Sequence, residues 1–135
     1  MLELVAARLK GQCGLKTVGE ALDLASIVAV PASPAAFVIP ISDQAPPTAR
    51  VNGIEQAVTE TFGVVLILRS AATAADRAVT FDGLRDDVVG LLLGWVPNPA
   101  CTPIQYVGGA MIDVTPNEVR RLIKFSTRYL IRSNP

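Results

Sequence analysis

The sequence predicts an α+β fold: an antiparallel or mixed β-sheet flanked by one main helix and a short N-terminal helix, with a projecting β-hairpin or loop. Three stretches carry that expectation. Within IEQAVTETFGVVLILRS, residues 54–70, the positions Ile54, Gln56, Val58, Glu60, Phe62, Val64, Leu66 and Leu68 follow the period of a strand. From Asp76 to about Trp95, Phe81, Leu84, Val88, Leu91, Leu92 and Trp95 recur at helical spacing, with Asp82, Arg85, Asp86 and Asp87 on the other side. Near the C-terminus Arg121, Ile123, Phe125, Thr127, Tyr129 and Ile131 alternate again. At 135 residues the chain reads as a single domain, residues 1–135, large enough to bury a core without disulfides.

Taken in order, Leu2, Val5, Ala6 and Leu9 form one face of a short helix that Gly11 and Gly14 terminate. Residues Val18 to Val30 read as a helical turn around Ala21 to Ala25 that becomes extended before Pro31. Ala35 to Ser42 is a strand in which Pro40, lacking an N–H, marks an edge or a bulge. Asp43 to Gly53 is turn-rich and contains Asn52-Gly53, a hairpin or loop signal. Asp76 is placed to cap the main helix. Gly83 and Gly90 within it each cost roughly 1 kcal/mol against Ala, an expense explained if the sheet packs close there. Ile104 to Val114 is a strand whose Gly108-Gly109 pair signals a bulge or a close backbone approach. Thr115-Pro116-Asn117-Glu118 fits either a capping box or a turn into a strand, and the β-branched and aromatic content of IKFSTRYLI favours the strand.

The 54–70 strand is uneven. Gly63 to Leu68 is apolar on both faces, as in a strand covered on two sides, whereas Glu55, Gln56, Thr59, Glu60 and Thr61 make the first half polar on both. At about 3.3 Å per residue the run spans roughly 50 Å, against a diameter of about 37 Å for a compact chain of this length. The apolar half should therefore pair with Ala35 to Ser42, leaving about 43 to 60 as an arm without a local partner. Asp43, Gln44, Arg50, Asn52, Glu55 and Glu60 are polar positions of that arm.

Hydrophobic residues make up 50% of the chain and charged ones 18%, a composition that favours further burial in an oligomer interface. The net charge is zero, so no global field steers the chain to nucleic acid or lipid. Arg120, Arg121, Lys124, Arg128 and Arg132 nevertheless cluster with only Glu118 opposing them. Strand alternation puts Lys124, Arg128 and Arg132 on one face as a basic surface, the basis of an alternative reading as a nucleic-acid-binding module. Cys13 and Cys101 have no CxxC spacing and read as reduced, buried, structural thiols in a cytoplasmic setting. No apolar run approaches the length of a membrane span. The absence of His removes Ser-His and Cys-His chemistry, and the Gly-rich stretches match no phosphate or dinucleotide motif. No catalytic, metal or cofactor site is expected, and the chain does not read as an enzyme.

The succession of MLELVAARLK, GVVLILRS, LLLGWVPNP, IQYVGGAMIDV and KFSTRYLIRS resembles the tail terminator proteins of long-tailed bacteriophages, particularly the short ones of siphophages. The resemblance covers most of the chain. It implies an α+β subunit, without catalytic residues, that assembles in the host cytoplasm into a homohexameric ring at the head-proximal end of the virion tail. There the ring would halt tube polymerisation and join the tail tube protein to a head-completion or connector protein, with Asp43, Gln44, Arg50, Asn52, Glu55 and Glu60 of the arm as expected contacts with a neighbouring subunit or the tube. DNA would pass through its lumen. Another head-tail connector or tail-completion protein could share the fold class.

Overall fold

Alternation at residues 55–69 produces the strand around which the other elements pack. The computed structural model describes residues 1–27, 30, 32–47, 55–69, 74–115 and 117–132, the side chains of 74–80 and 132 excepted. Its elements are helix α1 (Leu2–Leu9), strands β1 (Thr17–Glu20), β2 (Ala35–Gln44) and β3 (Glu55–Arg69), helix α2 (Ala74–Leu92), and strands β4 (Gln105–Val114) and β5 (Glu118–Arg132). The strands form one mixed sheet in the order β1-β2-β3-β5-β4, parallel only between β1 and β2. The predicted α+β class with a main and a short N-terminal helix is what the chain adopts.

Both helices lie on one face of the sheet. Val5, Ala6 and Leu9 of α1 and Phe81, Leu84, Val88 and Leu92 of α2 join Phe62, Val64, Leu66, Leu68, Ile123 and Phe125 in one buried cluster. Each such side chain, fully buried, stabilises the fold by roughly 1.5–3 kcal/mol. Phe62 stacks on Phe125 at 5.7 Å between centroids, and Tyr106 meets Phe125 edge-on at 5.8 Å. On the other face Ile27 and Val30 cover Ala35, Ile39, Val65 and Ile67. The apolar half of β3 is thus enclosed on two sides, as its sequence predicts.

The polar half of β3 does have a partner in its own chain, contrary to the expectation of an arm without one. β5 pairs with β3 along its whole length, from Glu55 opposite Arg132 to Arg69 opposite Glu118. On the other side β2 continues past its bulge to Gln44 opposite Thr59. The partner lies far along the chain, and alternation fixes the faces of a strand without naming its neighbour. The 45 to 47 segment follows β2, while Arg50 and the Asn52-Gly53 pair lie outside the described residues.

Several local expectations change as well. Thr17 to Glu20 is a strand, drawn into parallel pairing with Ala35 to Val38, and the helical turn beyond it is a 3-10 turn at Leu24–Ser26 capped by the Asp23 carboxylate, which accepts from Ser26 N at 2.9 Å. Asp76 lies inside α2, which begins at Ala74 and ends at Leu92, short of Trp95. Gly94, at φ +79, follows the helix and donates its N–H to Ile104 O at 2.8 Å. Nothing packs within 4 Å of the Cβ positions of Gly83 or Gly90, so the sheet does not approach them. Cys13 and Cys101 are free and half-buried rather than buried.

Other local signals hold. The register of β2 shifts between Pro40 and Ser42, where Pro40 lies beyond the last β1 pair, Glu20 with Val38. β4 bulges twice, between Tyr106 and Gly108 and between Met111 and Asp113. The C-terminal segment is a strand: Thr115 N donates to Glu118 O at 2.8 Å, and Thr115 Oγ1 accepts from Glu118 N at 3.0 Å, closing the turn between β4 and β5.

Candidate functional site

The two edges of the sheet are chemically unlike. β4 forms one edge and β1 the other. Alongside the far half of β5, Cys101 bridges Tyr129, Thr102 N donates to Arg128 O at 2.8 Å, and buried Thr127 donates its hydroxyl to Thr102 O at 2.7 Å, so that part of β5 is closed off. β4 has no such cover among the described residues, and its Val107, Met111 and Val114 are 54%, 53% and 59% exposed. Tyr106 and Ile112 add to the same apolar edge. At the opposite edge, just after β1, Leu22 is 81% exposed.

The far end of the sheet, where β2, β3 and β5 extend, carries the residues expected to make subunit or partner contacts. Asp43 and Glu60 stand opposite each other, as do Glu55 and Arg132, while Gln44 closes β2 opposite Thr59. Asp43 and Gln44 are exposed, and Glu55 and Glu60 half-buried. Burial, and next the Asp43 carboxylate, raises the Glu60 pKa above its ordinary value, partly offset by the N-terminal amine. Desolvation likewise raises Tyr129, with Glu60 contributing. Leu130 and Ile131 add exposed apolar surface at this end. The register thus sets Asp43 beside Glu60 with Gln44 next to them, Glu55 lies four residues before Thr59 along β3, and Arg50 and Asn52 fall outside the described residues.

Of the basic surface, Lys124 and Arg128 share the face opposite the helices, while only the backbone of Arg132, paired with Glu55, is described. Lys124 is half-buried and Arg128 exposed. The other two arginines of the cluster are committed to structure: Arg120 donates to Ile27 O at 2.9 Å, and Arg121 reaches Asp82 at 3.4 Å. The cluster is therefore smaller as a ligand surface than the sequence alone makes it. A cleft of about 460 Å³ on the helix face is lined by Leu2, Glu20, Glu60, Cys101 and Tyr129, a set that holds no nucleophile-base pair. Among the described residues no group of His, Cys, Asp and Glu is placed to hold a metal ion, and no helix is long and apolar enough to cross a membrane.

Sequence reasoning missed the exposed apolar residues of β4. IQYVGGAMIDV reads as a strand with a glycine-marked irregularity, which does not say where in the sheet it lies, and only the strand order reveals that β4 stands at an edge.

Comparison with known proteins bears on the chain as a whole. The family model described as phage tail terminator protein matches residues 1–135, the whole chain. No curated protein sequence matches. Among solved structures, a chain from "Virion of native gene transfer agent (GTA) particle" superposes with a TM-score of 0.55 at 14% identity, over 94% of this chain and 84% of that one. At that identity the likeness is one of fold.

Proposed function

The chain belongs to the phage tail terminator family, and from that premise we propose that it assembles as a hexameric ring on the head-proximal end of the tail tube, where it stops polymerisation and receives the head-completion or connector protein. A structural role in the phage tail follows from family membership; the whole-chain match is the observation that carries the finer reading. Stopping a polymer requires a subunit that binds the growing end without recreating that end on its far side. The fold supports this with unlike ends: one bears the turns at Ser33-Pro34 and Thr115 to Glu118, the other the extended strands with Asp43, Gln44, Glu55, Glu60, Leu130 and Ile131. In this reading the extended end engages the tube. The face opposite the helices, with Lys124 and Arg128, turns to the lumen, where it makes passing, sequence-independent contact with DNA.

Growth of the tube supplies the test. Purified tube protein is polymerised with increasing amounts of this chain, and tube lengths are measured by electron microscopy. Tubes shorten as the chain is added, with extra density at one end only. Unchanged lengths, or decoration along the whole tube, would remove the terminator reading. Salt-dependent retention of duplex DNA by the isolated chain, abolished in a Lys124→Ala, Arg128→Ala variant, would favour the nucleic-acid-binding alternative in its place.

A further inference from the structure

The two sheet edges match each other in level, direction and exposed chemistry. Following the pairing across the sheet, Val18 is level with Ala36, Leu66, Arg121 and Met111 in turn. By the same route Thr17 is level with Asp113, Gly19 with Ala110, and Glu20 with Gly109. β4 is bulged on either side of Gly108 to Met111, and the regular stretch between the bulges is the one that stands level with Val18 to Glu20. Beyond the bulges the edge is blunted against further pairing, a common way of limiting an exposed strand. Strand directions agree too. β1 runs with β2, and three antiparallel steps separate β2 from β4, so β4 runs opposite to β1.

We propose that β4 of one copy pairs antiparallel with β1 of the next, so that the sheet continues from subunit to subunit around the ring. This rests on the ring reading and assigns its subunit interface. Rotation about an axis along the strands preserves their direction, so copy-to-copy contact between opposite edges is necessarily antiparallel here. Closure without net shear sets Val18 beside Met111 on the helix face and Thr17 beside Asp113 on the other. Just after β1, the exposed side chain of Leu22 comes to the level of Tyr106 and Val107, covering apolar surface that one copy leaves open. The contact joins two different patches, so it is heterologous, the type that generates rings when the rotation closes.

Engineered thiols test the pairing. In a Cys13→Ser, Cys101→Ser background, Val18→Cys and Met111→Cys are introduced together and singly into the full chain. Each is oxidised alone and with tail tubes present. Because Val18 packs on the core, Thr17→Cys with Asp113→Cys repeats the experiment on the opposite face, and thermal melting of the reduced variants verifies folding. The double variants should give a covalent ladder that ends at the copy number of the ring, while each single variant stays uncrosslinked. Rings seen by electron microscopy without a ladder overturn the edge pairing and leave the ring standing. A dimer from Met111→Cys alone means that β4 pairs with itself, which also overturns the proposal. Folded protein that stays monomeric both free and with tubes removes the ring and the edge pairing together.

Discussion

Arg8 ties the two helices together. Its Nε donates to Leu91 O at 2.9 Å, near the C-terminus of α2, and its guanidinium lies 4.7 Å from the centre of the Trp95 ring. The helix dipole, the charged hydrogen bond and the cation–π contact all favour the cation there. Arg8→Ala should lower stability by about 1–2 kcal/mol, read as a lower denaturation midpoint at unchanged slope. The glycines separate into two kinds. A Cβ on Gly63 would stand 2.5 Å from Leu122 Cδ1 and 3.1 Å from Ile41 Cδ1, whereas Gly83 and Gly90 have open space. Gly83→Ala and Gly90→Ala should each stabilise the isolated chain by up to about 1 kcal/mol, while Gly63→Ala destabilises it by about 1–2 kcal/mol; thermal melts of the three variants measure both signs. Glu60 supplies a pH signature. Its folded pKa is raised, so the folded chain holds the proton more tightly, and stability falls as pH rises through the window between the unfolded and folded values. Glu60→Gln removes that loss, so the variant should gain more in melting temperature at neutral pH than at about pH 4.

At the scale of elements, the sequence made α1, α2, β2, β3, β4 and β5 legible because each carries its own period or punctuation. Pro40 and Gly108-Gly109 even marked the bulged strands. β1 was not legible, since the four residues TVGE are too few to show a period and depend on β2 for their conformation. The pairing of β3 with β5 was hidden for another reason: hydrophobic alternation says which side chains face the core, and both strands satisfy it in many registers. The expected contact residues of the 43 to 60 segment were legible as polar and turn-rich. That Glu55 to Thr61 pairs with β5, and Thr59 to Thr61 with β2 as well, was not. This placement changes what the extended end can offer, because β3 is held there by β5 and the side chains of Leu130 and Ile131 remain exposed. Replacing both with Asp should leave the melting temperature nearly unchanged, as surface substitutions do, and weaken binding to tube ends in a pelleting assay.

At the scale of the whole molecule, a 135-residue chain with half of its residues hydrophobic leaves apolar side chains at both sheet edges. Continuing the sheet from copy to copy would cover them. It would also set the strands along the ring axis, with the extended end of β2, β3 and β5 directed at the tube and the opposite end at the head. Membership of the tail terminator family and the two-ended fold meet in one expectation: a single ring, bound at one end of the tube, past which no tube protein adds. Imaging of tube ends after incubation with this chain and then with fresh tube protein tests it most directly. The predicted result is a sixfold ring at one end, with no further growth at that end. Continued growth beyond the bound chain, or the chain spread along the tube wall, would contradict it.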